Sequence, residues 1–277
     1  MRPCTVLLDD QTMMHFWLPR NRQLNKPNVA LIHGYGGNSR WQFFSQVGPL
    51  SRRFNLYIPD LLFFGKSYTN RTDRSDWFQA RCVGEAMKTL GVDRFSVAGI
   101  SYGGYVAYRT AEIYRERVEK VVIVSSGICY TDDQKAEELR RIGRNPLELL
   151  LPENPKDLRS LMNMTLYKYD PFKWLPNFFL RETIQVMFKK NRKEIMEIGE
   201  YLLTKPADSN LGILSQETLI IWGEKDNVFP VKYAYQLQRH LGAKAKVEII
   251  KETGHAVNYD SPVALNDFII SFLSFLH

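Results

Sequence analysis

The chain has 277 residues, of which 44% are hydrophobic and 24% charged, so its composition argues against long disorder and allows one large domain or two small ones. Its net charge of +7 includes short basic pairs such as Arg52-Arg53 and Lys189-Lys190 at separate places in the sequence. No nucleic-acid motif accompanies these pairs, so we expect solvated surface charge and no nucleic-acid partner.

The cysteine count and the lengths of the apolar runs indicate where in the cell the protein is found. Cys4, Cys82 and Cys129 cannot all pair, and none has metal-binding spacing, which favours a reducing compartment. Asp9 and Asp10 interrupt the first apolar stretch, so it does not resemble a secretion signal. No apolar run approaches the roughly 18 residues that a membrane span needs. We therefore expect a soluble cytoplasmic protein without a transmembrane segment.

The chain opens with CTVLL (4–8) and MMHFWL (13–18), which flank the turn DDQ and predict a hairpin. Short apolar runs then alternate with stretches of helical period. The runs predict strands at 28–33, 54–59, 94–99, 118–125, 217–223 and 246–251, and the periodic stretches predict helices at 39–50, 76–90, 102–116, 230–241 and 261–275. The alternation predicts an α/β protein with a mostly parallel, eight-stranded sheet flanked by helices.

The alternation stops between the sixth and seventh predicted strands, where charged and apolar helical stretches follow one another without a convincing strand. The stretch is too long for a loop, so we expect a helical cap over the edge of the sheet where the strands end. The predicted organisation is a core formed by 1–126 and 213–277, with a cap at 127–212. Candidate hinges are Ser126-Gly127 and 205–212.

A single serine lies between glycines where the strand at 94–99 passes into the next helix. Gly99, Ser101 and Gly103 fit the pattern G-x-S-x-G, in which a tight strained turn projects a serine hydroxyl and leaves no room for side chains two positions away. Alone, the pattern is equally compatible with an ordinary glycine-rich turn. As a functional motif it makes Ser101 a candidate nucleophile.

A serine nucleophile needs a base, and the base needs a carboxylate that holds its tautomer. Asp226 in WGEKDNVFP and His255 in KETGHAVNYDSP each follow a predicted strand, so all three loops open on one edge of the sheet. Asp226 alone is also explained as a turn former, and His255 as a loop histidine with local hydrogen bonds. Together they predict a catalytic triad with Ser101.

The loop HGYGGNSRW after the strand at 28–33 predicts an oxyanion hole. His33-Gly34 lets the backbone turn close to the serine, so the amide of Tyr35 can pair with that of Tyr102 to hold a negative oxygen. For His33 itself we expect a structural role, because no metal-ligating residues accompany it at suitable spacing.

These motifs, together with PDLLFFGKS (59–67), resemble the α/β-hydrolase superfamily over nearly the full length of the chain. The branch that it most resembles contains meta-cleavage-product hydrolases, monoacylglycerol-lipase-like esterases and plant relatives, with a helical cap after the sixth strand. The resemblance implies that Ser101 is the nucleophile, His255 the general base and then acid, and Asp226 its orienting carboxylate. The chain departs from the usual pattern at Phe63-Phe64 and at Tyr102, where smaller residues are frequent, and we expect a narrowed site.

Related folds that open epoxides or remove halogens use aspartate at the position of Ser101, so the serine favours acyl transfer to water. We expect a serine hydrolase that cleaves a small, largely apolar ester or related carbonyl substrate through an acyl-enzyme, with neither cofactor nor metal. Two alternatives stay open at this point. One is a C–C bond hydrolase of the meta-cleavage type, and the other is a small-ligand receptor or cyclase on the same fold.

The cap is rich in methionine and aromatic residues, which suit irregular apolar ligands, although most such residues fasten helices to a core. We predict a largely apolar substrate pocket. The residues predicted to line it are Gly34, Met162, Trp174, Phe178, Phe179 and Val257.

Overall fold

A nine-stranded sheet runs through the protein in a computed structural model that describes residues 1–143, 145–168, 170–207 and 211–274. The strands are β1 (Arg2–Leu7), β2 (Thr12–Leu18), β3 (Asn28–Ile32), β4 (Asn55–Pro59), β5 (Tyr68–Thr69), β6 (Phe95–Ile100), β7 (Val118–Val124), β8 (Glu217–Gly223) and β9 (Ala245–Ile250). Their order is β1-β2-β4-β3-β6-β7-β8-β9, with β5 beside β2. The mostly parallel fold is confirmed. The sequence missed only β5, because a two-residue strand has no periodicity to detect.

The central strands are buried on both faces, as their unbroken apolar runs predict. Strand β7 shows how the two faces are built: Val121 and Ile123 lie in one apolar cluster, whereas Val122 and Val124 lie in the other. The antiparallel pairs β1–β2 and β2–β4 form one end of the sheet. The remaining neighbours on the main path pair in parallel, so the loops after β3, β6, β8 and β9 meet at one edge.

Helices cover both faces of the sheet. The core helices are α1 (Ser39–Gln42), α2 (Phe44–Ser51), α3 (Asp76–Thr89), α4 (Tyr102–Ile113), α10 (Lys232–Leu241), α11 (Val257–Asp260) and α12 (Pro262–Ser274). Helices α3, α4 and α10 pack against one face, and α2 and α12 against the other. The single helix predicted at 39–50 is two helices separated at Phe43.

Five helices lie between β7 and β8 in the described part of the chain: α5 (Asp132–Ile142), α6 (Pro146–Leu150), α7 (Pro155–Thr165), α8 (Asn177–Phe188) and α9 (Arg192–Thr204). We call this helical segment the cap. Thr131 and Gln134 form a capping box that starts α5, and Gly143 ends it in the left-handed conformation with φ 69°. Residues 208–210 of the second predicted hinge, and the end of the last predicted helix at 275, lie outside the described residues.

A buried carboxylate joins the cap to the core. Asp76, at the start of α3, lies 2.9 Å from the Lys205 ammonium and 3.4 Å from the Arg109 guanidinium, and it accepts a 3.0 Å hydrogen bond from the Tyr201 hydroxyl. Burial raises the pKa of Asp76, but Lys205 and Arg109 outweigh burial, so the pKa lies below its ordinary value. The carboxylate thus stays ionised and holds the end of α9.

Across the residues described, none of the helices is long and apolar enough to cross a membrane.

Candidate active site

Ser101 lies at a strained turn between β6 and α4. Its φ of 53° falls in the left-handed region, which residues other than glycine rarely adopt. The flanking glycines permit this turn, because a side chain at Gly103 would collide with the backbone oxygen of Ile32 and one at Gly99 with that of Gly103. The backbone of β3 can therefore approach the turn closely and bring its own loop to the serine hydroxyl.

The structure brings the three predicted catalytic side chains into one hydrogen-bonded chain. Ser101 Oγ lies 3.0 Å from His255 Nε2, and His255 Nδ1 lies 2.9 Å from Asp226 Oδ2. The other oxygen of Asp226 accepts 2.8 Å hydrogen bonds from the amides of Val228 and Phe229. Asp226 is therefore a turn former and the partner of the histidine at the same time, so its two interpretations are compatible.

The histidine loop is fixed from two sides. Asp260 accepts a 2.8 Å hydrogen bond from the amide of Gly254, and the amide of Ala256 donates to the carbonyl of Thr165 in the cap. The ring of Phe229 meets that of His255 edge-on at 5.6 Å. These contacts leave the imidazole buried between Asp226 and Ser101, in an orientation that can accept a proton from the serine.

The backbone of Tyr35 and that of Tyr102 both lie beside the serine, and their rings meet edge-on at 6.3 Å. Tyr102 is the first residue of α4, so its N–H has no partner within that helix. Tyr35 follows Gly34, where an added Cβ would lie 3.3 Å from Cβ of Ser101. Both amides therefore belong to backbone that adjoins the serine, where an oxyanion hole would be needed.

Gln42 holds the loop that carries Tyr35, a role that the sequence did not reveal. Its side-chain oxygen accepts a 2.8 Å hydrogen bond from the amide of Gly34, and its side-chain nitrogen donates to the carbonyls of Gly34 and Gly36. A glutamine ten residues after the end of β3 has no distinctive sequence signal. Gln42 therefore fixes the turn at Gly34 and takes no part in the proposed reaction.

His33 has the structural role that the sequence predicts. It is fully buried, its Nδ1 lies 2.8 Å from the carbonyl of Gly34, and its Nε2 accepts a 2.9 Å hydrogen bond from the amide of Leu61. Burial lowers the pKa of His33, although the nearby Asp60 opposes this change. A neutral ring suits its bond to the Leu61 amide, because Nε2 must carry a lone pair to accept it.

A cavity of about 180 Å³ lies between the core and the cap, with Ser101 and His255 in its wall. From the core it is lined by Tyr35, Tyr102, Tyr105, Val228 and Phe229, and Tyr130 lines it from the segment that joins β7 to α5. From the cap, the apolar residues that line it are Leu139, Ile142, Pro146, Leu149, Leu150, Leu161, Met164, Leu202 and Leu203. The serine therefore opens on a cavity with mainly apolar walls, which suits an apolar group bound beside a reacting carbonyl.

None of the six residues predicted for the pocket lines this cavity. Trp174, Phe178 and Phe179 are exposed by 84%, 58% and 50%, on the outside of the cap. Met162 packs against the apolar cluster that contains α3, α4 and α10. Val257 lies in the apolar cluster on the opposite face of the sheet, with α2 and α12. Helical spacing shows which residues share a face, but it does not show what that face meets.

The sixth of these residues, Gly34, lies beside the serine without lining the cavity, because its backbone is turned toward Gln42.

Two charged residues of α5 line the cavity, which the sequence did not predict. The Lys135 ammonium donates to the carbonyls of Leu202 and Lys205, so it caps the end of α9. Burial lowers the pKa of Lys135, and the charge of Lys205 lowers it further. Glu138 is paired with Arg141 at 2.7 Å and accepts a hydrogen bond from the Tyr233 hydroxyl.

Over the described residues, no group of three or more His, Cys, Asp or Glu side chains is placed to hold a metal ion.

Comparison with known proteins places this site in a family. A family model for the alpha/beta hydrolase fold matches residues 27–262, and the chain belongs to that family. The monoacylglycerol lipase ABHD6 of Homo sapiens is 27% identical over 271 residues, covering 93% of this chain and 78% of the relative. The family and this lipase relative together identify the chain as a hydrolase.

Solved structures support the same fold. An esterase from Exiguobacterium antarcticum superposes with a TM-score of 0.80 at 18% identity, covering 98% of this chain and 99% of that one. The meta-cleavage product hydrolase CumD from Pseudomonas fluorescens superposes with a TM-score of 0.75 at 21% identity, covering 94% of each chain. At these identities the likeness concerns the fold alone.

Proposed function

We propose that the protein hydrolyses small, largely apolar carboxylic esters through a Ser-His-Asp triad and an acyl-enzyme. The observation that carries the proposal is the continuous hydrogen-bonded chain from Ser101 Oγ through His255 to Asp226. The serine end of this chain opens on the apolar cavity. Triad geometry supplies an activated oxygen, and apolar walls supply binding for an acyl or alkyl group. Selective turnover requires both, because the triad supplies the reacting oxygen and the cavity holds the substrate beside it.

In the proposed reaction Ser101 Oγ attacks the ester carbonyl carbon while His255 Nε2 takes the hydroxyl proton. The amides of Tyr35 and Tyr102 stabilise the negative oxygen of the tetrahedral intermediate. His255 then protonates the leaving alcohol, which departs as the acyl-enzyme forms. Water attacks this acyl-enzyme with the same histidine as base, which releases the acid and restores the serine. Asp226 keeps the proton of the ring on Nδ1 throughout.

Ester hydrolysis is favoured over carbon–carbon cleavage of a dienoate acid by the charges around the cavity. Among the described residues that line it, Lys135 is the one lysine or arginine, and its ammonium already donates to two backbone carbonyls. A substrate carboxylate would have to compete with these bonds. An uncharged ester needs no such partner. A receptor function is disfavoured because binding alone does not need the aligned triad.

We also propose a cytoplasmic location. The support is that Cys4, Cys82 and Cys129 are all free thiols, two of them partly exposed, as expected for a reducing compartment. Fractionation of the native protein from its source cells tests this, and recovery in a secreted fraction would contradict it.

The test of the proposed function compares wild type with Ser101→Ala, using nitrophenyl esters of increasing acyl length and a fluorophosphonate probe. Ser126→Ala is the matched control, because Ser126 is a buried serine near the same turn whose hydroxyl has no hydrogen-bond partner in the described structure. We expect Ser126→Ala to keep labelling and turnover, and Ser101→Ala to lose both. Labelling that survives in Ser101→Ala would overturn the assignment of the nucleophile.

The acyl series tests the apolar cavity. Each buried methylene contributes about 0.8 kcal/mol, which is roughly fourfold in kcat/KM, until the acyl chain fills the cavity. A flat profile across the series would contradict binding of the acyl group in this space.

A further inference from the structure

The outer surface of the cap exposes three large aromatic rings within six residues of sequence, and two of them are in contact. Trp174 is exposed by 84%, Phe178 by 58% and Phe179 by 50%, and the two phenylalanine rings lie 4.0 Å apart between centroids. Single exposed apolar residues are common on soluble proteins, but adjacent large ones mark surfaces that bind something. These rings lie outside the substrate cavity, so the proposed reaction does not account for them.

The packing of the cap does not require these rings either. Helix α8 buries Leu180, Ile184 and Phe188, which recur every four residues and so form its inner face. Phe178 and Val186 lie on the opposite side, where Val186 is exposed by 63%. Helix α8 therefore has one apolar face toward the protein and further apolar side chains toward solvent.

The same segment carries much of the positive charge of the protein. Between 166 and 193 there are seven Lys or Arg residues and two acidic residues, in a chain whose net charge is +7. The exposed cations are Lys168, Lys173, Arg181, Lys189, Lys190 and Lys193. Within the described structure none of these six forms an ion pair with a carboxylate. Lys168 donates a 2.7 Å hydrogen bond to the Ser261 hydroxyl and Lys190 a 3.0 Å hydrogen bond to the carbonyl of Gly65, which are neutral partners and leave both charges uncompensated.

The aromatic surface continues onto the core beside the histidine loop. Asp260 accepts a 2.7 Å hydrogen bond from the amide of Tyr167, which places that exposed cap residue next to Tyr259. The Tyr259 hydroxyl in turn donates to the carbonyl of Trp41, whose side chain is exposed by 53%. We call the exposed rings of Trp41, Tyr167, Trp174, Phe178, Phe179 and Tyr259, with the six cations, the aromatic-basic face.

We propose that the aromatic-basic face docks the protein onto the surface of an anionic lipid bilayer. Aromatic rings favour the boundary between head groups and acyl chains, and lysine and arginine are attracted to anionic head groups. A second copy of the chain is a poor occupant, because pairing two such faces would oppose like charges. The proposal goes beyond ester hydrolysis and does not depend on the triad.

Co-sedimentation with vesicles tests the proposal, using phosphatidylcholine alone and phosphatidylcholine with phosphatidylserine. We expect binding to the anionic vesicles, little binding to the neutral ones, and loss of binding at about 1 M salt, where screening shortens to roughly 3 Å. Arg181→Glu with Lys189→Glu should weaken binding at least about tenfold, since each basic residue near the surface contributes about a factor of five. Trp174→Ser with Phe178→Ser should weaken binding to anionic vesicles at each salt concentration at which the wild type still binds.

The matched control is Arg52→Glu with Arg53→Glu, which changes the net charge equally. That exposed pair precedes the amino end of β4, at the edge of the sheet opposite the cap. We expect this control to bind at least half as tightly as wild type, and Ser101→Ala to bind as wild type does. All the face variants should hydrolyse a soluble ester at the wild-type rate, which shows that they are folded.

Three outcomes would overturn the proposal: equal loss of binding in the control and the face variants, equal binding to neutral and anionic vesicles, or no binding at all. Concentration-dependent dimerisation abolished by Trp174→Ser would assign the face to a second copy instead. Tight binding of an oligonucleotide, with none to vesicles, would assign it to nucleic acid.

Discussion

The core and the cap contribute to the site in different ways. On the core side, hydrogen bonds to backbone fix the reacting groups: Gln42 holds the Tyr35 loop, Asp226 closes its own turn, and Asp260 holds the amide of Gly254. On the cap side, most residues that line the cavity contribute only apolar side chains. The comparison teaches that the core sets the geometry of the reaction, whereas the cap sets the shape of the space in which it occurs.

The contrast predicts that core substitutions change turnover of all esters alike, whereas cap substitutions change which ester is preferred. Several polar contacts cross between the regions, and those of Asp76 and Tyr35 test how separate the regions are. Asp76 holds Lys205 and Tyr201, and the Tyr35 hydroxyl donates a 2.6 Å hydrogen bond to the carbonyl of Ile195 in α9.

The largest effect is expected for Asp226→Asn. The asparagine oxygen can still accept from the amides of Val228 and Phe229, so the turn should persist. Its amide nitrogen, however, donates toward His255 and favours the wrong tautomer, and the comparable change in a serine protease lowers kcat about 10⁴-fold. Steady-state kinetics on several nitrophenyl esters should show the same loss for each, with an unchanged melting temperature.

Glu224→Gln is the matched control for that experiment. Glu224 is a nearby carboxylate that accepts a 3.2 Å hydrogen bond from the amide of Glu252 and does not contact His255. We expect near wild-type turnover. If Glu224→Gln lost activity and Asp226→Asn kept it, the orienting role would belong to Glu224.

The second effect concerns stability. Asp76→Asn would remove the carboxylate that pairs with Lys205 and one of the carboxylates that pair with the buried Arg109, which keeps Glu112 at 2.7 Å. Breaking a buried ion pair costs about 3 kcal/mol or more in the free energy of unfolding. Urea unfolding at pH 7 measures this cost. Asp93→Asn, at an exposed aspartate, should be neutral.

The sign of the pH dependence follows from the lowered pKa of Asp76. A group whose pKa is lower in the folded state stabilises the fold above the unfolded value of about 3.9, and this stabilisation is lost as pH falls through the folded value. The difference between wild type and Asp76→Asn should therefore be constant above about pH 5 and shrink below about pH 4. A difference that stayed constant below pH 4 would contradict the ionised carboxylate.

The sequence predicted the core better than the cap, for a physical reason. Core strands are unbroken apolar runs, and the turns after them contain only a few residue types. The sequence alone therefore places Ser101, Asp226 and His255 in loops at one edge of the sheet. The structure brings these three together. The cap residues Trp174 and Phe178 were assigned to the pocket because they are large and apolar, yet they face solvent.

Side chains that hold separate segments of the chain together were not predictable either. Gln42, Asp76 and Lys135 bond partners that are distant in sequence or belong to the backbone, and no local pattern specifies such pairs. Periodicity gives the faces of each helix. It does not give the packing between helices of an inserted segment.

A third, smaller effect is expected for Gly103→Ala, which tests the close approach of β3 to the serine turn. The added methyl would meet the backbone oxygens of Ile32 and His33, which cannot rotate away, so we expect a loss of about 2 kcal/mol in stability together with reduced turnover. Gly48→Ala in α2 is the matched control, because its methyl meets nothing within 4 Å and alanine favours the helix. Thermal melting of both variants checks this, and equal melting temperatures would show that the backbone can yield.

The smallest effect is expected for Tyr35→Phe, which removes the bond to Ile195 and leaves the amide of residue 35 in place. Burial raises the pKa of Tyr35, so the phenol stays protonated and donates. Losing one such bond costs about 1 kcal/mol. If the cap holds the oxyanion loop through this contact, kcat should fall up to about fivefold for every ester with KM little changed. A change confined to KM would instead assign Tyr35 to the substrate space, and Tyr114→Phe, whose hydroxyl bonds within the core, should change neither.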